Sequence, residues 1–113
     1  MKTVLAAFTG VVLVIIVVNV DAQDVQLAYF DGNMLQQRLA DEKDSIPCMM
    51  GMGYVLGVYD ITAGVLLCAP ERVIPTQLVA IVQKYLVEHP QKLHLKAGDL
   101  VIDALSAAFP CRK

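Results

Sequence analysis

The chain has 113 residues, is 57% hydrophobic, and carries nine basic against eleven acidic residues for a formal net charge of −2. With no basic stripe and only 6% aromatic residues it lacks the footprint of a nucleic-acid-binding protein. Its size allows one modest core, of the kind that small exported domains often support with disulfides.

Residues 1–22 have the form of a secretory signal. Lys2 supplies a short positive start, Val4 to Val20 is almost wholly apolar, and Val20-Asp21-Ala22 places small or short side chains where a signal peptidase reads. A bilayer span needs ~20 apolar residues, so cleavage after Ala22 is expected rather than retention as an anchor. The exported domain is then residues 23–113. Without Lys2 and Asp21 it keeps eight of the nine basic and ten of the eleven acidic residues.

That domain reads as all-α, a small bundle of four to five helices. The first predicted helix runs from about Asp24 to Ala40, with a possible break at Asp31-Gly32, and Leu35 and Leu39 share one face. The acidic stretch Asp41-Glu42-Lys43-Asp44 is a solvated connection. The second helix starts at Ser45, a good N-cap, with Pro47 in its first turn, and reaches about Thr62 with Gly64 as its stop. Because Cys48 to Val58 is apolar on every side, this helix is expected to be central and buried, with Gly53 and Gly57 admitting a neighbouring helix backbone.

A loop carrying Cys68, Pro70, Glu71 and Arg72 leads to Pro75, which fits the first position of the third helix. There Leu78, Val82, Tyr85, Leu86 and His89 form one face, and Pro90 ends it. The fourth helix is expected over about Pro90 to Ala108. Its core stripe is Leu93, Ala97, Leu100, Val101, Ala104, Leu105 and Ala108. A further apolar line, Leu95, Ile102 and Phe109, recurs every seven residues, and Leu95 and Ile102 are the candidate dimer-interface residues.

Candidate chemistry is sparse, and no catalytic residue, cofactor or metal is expected. His89 and His94 straddle no shared helical face, so His89 reads as a junction residue and His94 as surface. Asp99 and Asp103 lie on the solvated face, and Asp60 reads as a helix-end acceptor. Cys48, Cys68 and Cys111 are disulfide candidates with one thiol left over. Pairing Cys48 with Cys68 closes a loop of about 20 residues, worth roughly 3 kcal/mol, and pairing Cys68 with Cys111 is worth about 4 kcal/mol. The residues alone do not choose between them.

Several segments occur in an order and spacing that resemble the type VI secretion amidase immunity proteins of the Rap/Tai family. They are Gly53-Tyr-Val-Leu-Gly-Val-Tyr-Asp60, Cys68-Ala-Pro70, Gln77-Leu-Val with Lys84-Tyr-Leu86, His89-Pro90, Ala104-Leu105 and Ala108-Phe-Pro-Cys111. The resemblance covers about Gly53 to Cys111 and implies a periplasmic, helical, often dimeric inhibitor. Such proteins plug the active-site groove of a peptidoglycan-cleaving amidase delivered by a neighbouring cell.

Two departures stand out. Arg38 or Leu39 occupies the region where the family often has a first-helix cysteine, and Gly51 stands where the second-helix cysteine is usual, with Cys48 one turn earlier. If the missing thiol is the one that pairs with the Phe-Pro-Cys end, the resemblance implies a Cys48–Cys68 bond and an unpaired Cys111. The loop Leu66 to Ile74 is the candidate plug, with Pro70 stiffening it and Glu71 and Arg72 as polar contacts to the amidase. The alternative is a small periplasmic stress chaperone or envelope interaction protein of the same fold.

Overall fold

The computed structural model describes residues 30–112, and the expected signal and the start of the first predicted helix lie outside them. Four α-helices follow in order: α1 (Gly32–Leu39), α2 (Ile46–Thr62), α3 (Pro75–Glu88) and α4 (Ala97–Ala108). A single 3-10 turn, Pro90–Lys92, lies between α3 and α4. No strand occurs among the described residues, and none of their helices is long and apolar enough to cross a membrane.

Asp31 marks the start of α1 as its N-cap. Its backbone is extended and its carboxylate accepts from the Met34 N–H at 2.8 Å, satisfying one of the unpaired donors of the first turn. Eight residues are too few for a stable isolated helix, so tertiary contacts hold α1. Leu35 and Leu39 are buried in the core. Gly32 is pressed against residues 93–100, where a Cβ would come within 2.8 Å of the Leu93 carbonyl oxygen and 2.9 Å of the Leu93 Cα.

Helix α2 begins and ends as its sequence indicates. The Ser45 hydroxyl accepts from the Cys48 N–H at 3.2 Å, Pro47 lies in the first turn, and Gly64 leaves the helix at φ +83°. The expectation that it is buried all round is corrected: only Cys48, Gly51, Val55 and Thr62 are buried. Helices α1, α3 and α4 all contact α2, with Met52, Tyr54, Leu56, Val58 and Tyr59 half-buried beside that stripe, because a domain this small has too few elements to surround a helix. Close approach happens at Gly51, where a Cβ would meet Leu39 Cδ2 at 3.0 Å and Arg38 Cβ at 3.2 Å. Gly53 and Gly57, expected to receive a helix backbone, are instead exposed with nothing within 4 Å of a Cβ at either position.

Helix α3 buries Leu78, Val79, Val82 and Leu86, and Gln83 reaches across to donate to the Leu39 carbonyl at 3.0 Å. His89 closes the helix. Its Nδ1 lies 2.8 Å from the Tyr85 carbonyl, to which it donates as Nδ1–H, and its ring stacks on Tyr85 with centroids 4.0 Å apart.

The fourth helix starts seven residues later than expected. Residues 93–97 are diverted by hydrogen bonds to the start of α1: Gly32 N–H donates to the Leu95 carbonyl, Asn33 N–H to the Leu93 carbonyl, and Ala97 N–H to the Phe30 carbonyl, at 2.9–3.0 Å. Those long-range bonds compete with the helical ladder and win. Leu95 therefore precedes α4 rather than sharing a helical line with Ile102 and Phe109. Phe109 is the C-cap and packs against the core.

Within α4 the expected core stripe holds at Ala97, Leu100, Val101, Ala104 and Leu105. Leu93 is half-buried and Ala108 exposed. Gly98 gives room to Tyr54, whose hydroxyl would lie 3.2 Å from a Cβ there. Burial pushes the Tyr54 hydroxyl above its ordinary pKa. The Gly98 backbone N–H pulls it the other way, and the Asp99 charge adds to the rise.

Candidate partner-binding surface

The segment between α2 and α3 is anchored at both of its ends. Its first leg is tied to the end of α2: Val65 and Leu66 N–H groups both donate to the Thr62 carbonyl, and Gly64 N–H to the Leu67 carbonyl at 2.7 Å. Leu67 then enters the core with 0% of its surface exposed. A buried leucine contributes roughly 1.5–3 kcal/mol, enough to fix the leg.

The end of α4 holds the same leg from the other side. Cys68 N–H donates to the Phe109 carbonyl at 2.9 Å, and Ser106 Oγ donates to the Leu66 carbonyl at 3.3 Å. A disulfide joins Cys68 to Cys111 across a sequence separation of 43, with Cα atoms 4.8 Å apart. The Cys48–Cys68 pairing implied by the resemblance is thereby corrected. Cys48 is the free thiol, buried on α2 and lining a cavity with Leu39 and Val79. Proximity decides the pairing, since Phe109 brings Cys111 to the loop while α2 carries Cys48 to the opposite end of the helix.

The second leg is held by Val73, which packs against the core, and by Pro75 at the first position of α3. Between the two legs Pro70, Glu71 and Arg72 form an exposed turn. Apolar side chains flank it: Val65 is 76% exposed and Leu66 and Ile74 are also exposed. The three residues singled out in the sequence are thus consecutive and exposed, in the stretch between the Leu67 anchor and Val73. What the sequence reading missed are the apolar flanks and the Leu67 anchor. Their signal was the run Val65-Leu66-Leu67, in which a single inward position separates chain held by the helix end from chain turned outward.

Elsewhere the polar candidates stay apart. Asp60, His94, Asp99 and Asp103 are exposed, and no group of three or more His, Cys, Asp or Glu could hold a metal among the described residues. Leu95 is exposed and Ile102 half-buried.

The architecture is that of a small, disulfide-tied helical protein whose distinctive features are surface features. The family model of the Rap1a immunity proteins matches residues 25–111, and the chain belongs to that family. Membership implies a protein that binds a cognate effector toxin. No curated protein gives a significant match.

Proposed function

We propose that this chain is exported to the periplasm, where it binds a type VI-secreted peptidoglycan amidase and plugs its active-site groove. The observation that carries the reading is the loop 64–74, anchored by Leu67, by the disulfide and by Pro75, with Glu71 and Arg72 exposed between the anchors. A segment ordered before association loses little conformational entropy on binding. The flanking Val65, Leu66 and Ile74 supply apolar surface that can be desolvated around the two charges, the arrangement in which a few anchors dominate affinity. Inhibition of this kind asks for no reactive group in the inhibitor. It also explains why a rigid body matters more than chemistry.

The test is calorimetric titration of the cognate effector with the native chain and with Glu71→Ala/Arg72→Ala. The doubly substituted chain should bind at least about tenfold more weakly, equivalent to ~1.4 kcal/mol. Unchanged affinity would dismiss this loop as the contact.

A further inference from the structure

We propose that Cys48, Met52 and Met49 form a binding site for one monovalent soft-metal ion, copper(I), on the first two turns of α2. The inference does not rest on the amidase reading.

Sulfur is unevenly placed in this chain. Of its five methionines, Met49, Met50 and Met52 fall within residues 48–52, beside the free thiol of Cys48. Core packing does not account for them all, since Met49 is 61% exposed. At 3.6 residues per turn Met52 stands about 40° round the helix from Cys48, and Met49 about 100°. Met52 therefore lies between the other two, on one edge of the buried stripe. Side chains three and four positions apart have Cβ atoms about 5–6 Å apart, and the rotatable bonds of methionine let its sulfur turn towards a shared ion.

The pair at the inner end already shares a space. Cys48 is 7% exposed and Met52 half-buried, and both line a cavity of ≈ 240 Å³ whose walls include Thr76 and Val79 of α3. The Cys48 backbone is held there by the Ser45 hydroxyl, while no hydrogen bond engages its thiol among the described residues. Met49, on the exposed side, gives an ion the entry path that a buried pair alone would lack.

The donors and the charge select the ion. Thiolate and thioether sulfur favour copper(I) over hard cations, which take oxygen ligands. Binding replaces the S–H bond of Cys48 by an S–Cu bond, releases one proton to solvent and leaves the copper(I) oxidation state unchanged. The copper–thiolate is neutral, and the thioethers add no charge. Asp41 and Lys43, which also line the cavity, offset one another. A neutral centre is tolerated beside Leu39 and Val79, where the net positive charge left by a divalent ion would be costly.

The experiment uses the full chain, purified as the cell processes it. Its free thiol is counted beforehand to establish that the Cys68–Cys111 bond is closed. Copper(I) is titrated without oxygen against bicinchoninate, a coloured chelator. The chain should withdraw a single equivalent of copper(I), and its unfolding midpoint should rise as the ion binds. X-ray absorption at the copper edge should show sulfur neighbours only. Cys48→Ser should weaken binding at least about 100-fold, and Met52→Leu at least about tenfold. Met52→Leu conserves volume, so its intact unfolding transition separates loss of a ligand from loss of the fold. Met50→Leu, on the far side of the helix from Cys48, should bind within about threefold of wild type.

Failure to draw copper(I) from the chelator would overturn the proposal, as would nitrogen or oxygen neighbours in the absorption spectrum. Binding that survives Cys48→Ser would place the ion elsewhere. Binding indifferent to both Met52→Leu and Met49→Leu would reduce the site to a bare thiol. Either result overturns the three-sulfur site.

Discussion

Replacing both Cys68 and Cys111 by serine removes the tie between the loop and the end of α4. The bond spans 43 residues and encloses the whole of α3 and α4. In the chain-entropy model a loop of that length restricts the unfolded chain by about 13 cal/mol/K, or ~4 kcal/mol at 25 °C. Small domains are stable by only about 5–15 kcal/mol in total. At 4–8 °C per kcal/mol for a domain of this size, the melting point should fall by about 15–30 °C.

Urea unfolding followed by circular dichroism checks the magnitude. The double serine variant should unfold at a much lower midpoint with an equal or larger m-value, since its unfolded chain is less compact. Cys48→Ala, which touches no disulfide, should lose only about 1–2 kcal/mol from trimming a buried side chain. A double variant within about 1 kcal/mol of wild type, or a Cys48→Ala variant that reproduces its full loss, would refute the reasoning.

The remaining predictions concern packing and pH. Gly32→Ala should destabilise the fold by about 1–3 kcal/mol, because the new methyl group meets Leu93 backbone as well as the buried Leu100 side chain; Gly53→Ala, in open space, should stabilise it by up to about 1 kcal/mol. Chemical denaturation of both variants reads the opposite signs. Leu67→Ala should lose about 2–5 kcal/mol and raise the protease sensitivity of residues 64–74 before the helices unfold. The raised pKa of Tyr54 gives a stability contribution that is complete below the ordinary tyrosine value of 10.0 and lost as pH rises through the folded-state value. Stability should therefore decline in strongly alkaline solution, and Tyr54→Phe should flatten that decline.

Local signals carried much of the fold. Ser45, Pro47, Gly64, Pro75 and Pro90 punctuate the chain where helices start and stop, since caps and proline act on neighbouring backbone alone. The stripe from Ala97 to Leu105 followed from its period. The failures all involve contacts distant in sequence. Residues 93–96 leave the helix because the backbone at Phe30, Gly32 and Asn33 takes their hydrogen bonds, and no local pattern announces that partner. Helix α2 is apolar all round, so periodicity could not say which side faces inward; Gly51, not Gly53 or Gly57, proved to be the contact with α1. The disulfide likewise depends on Phe109 bringing Cys111 to the loop. At the candidate surface, Pro70, Glu71 and Arg72 were legible from loop composition, whereas the anchoring of that loop needed the packed structure.

An inhibitor of this kind blocks its effector by occupancy alone. The direct measurement is peptidoglycan hydrolysis by the purified cognate effector, titrated with the oxidised chain. Activity should fall linearly and vanish at one chain per effector active site, with the chain recovered chemically unchanged. Hydrolysis that persists at a large excess of chain, or that is abolished by a small fraction of an equivalent through turnover, would contradict it.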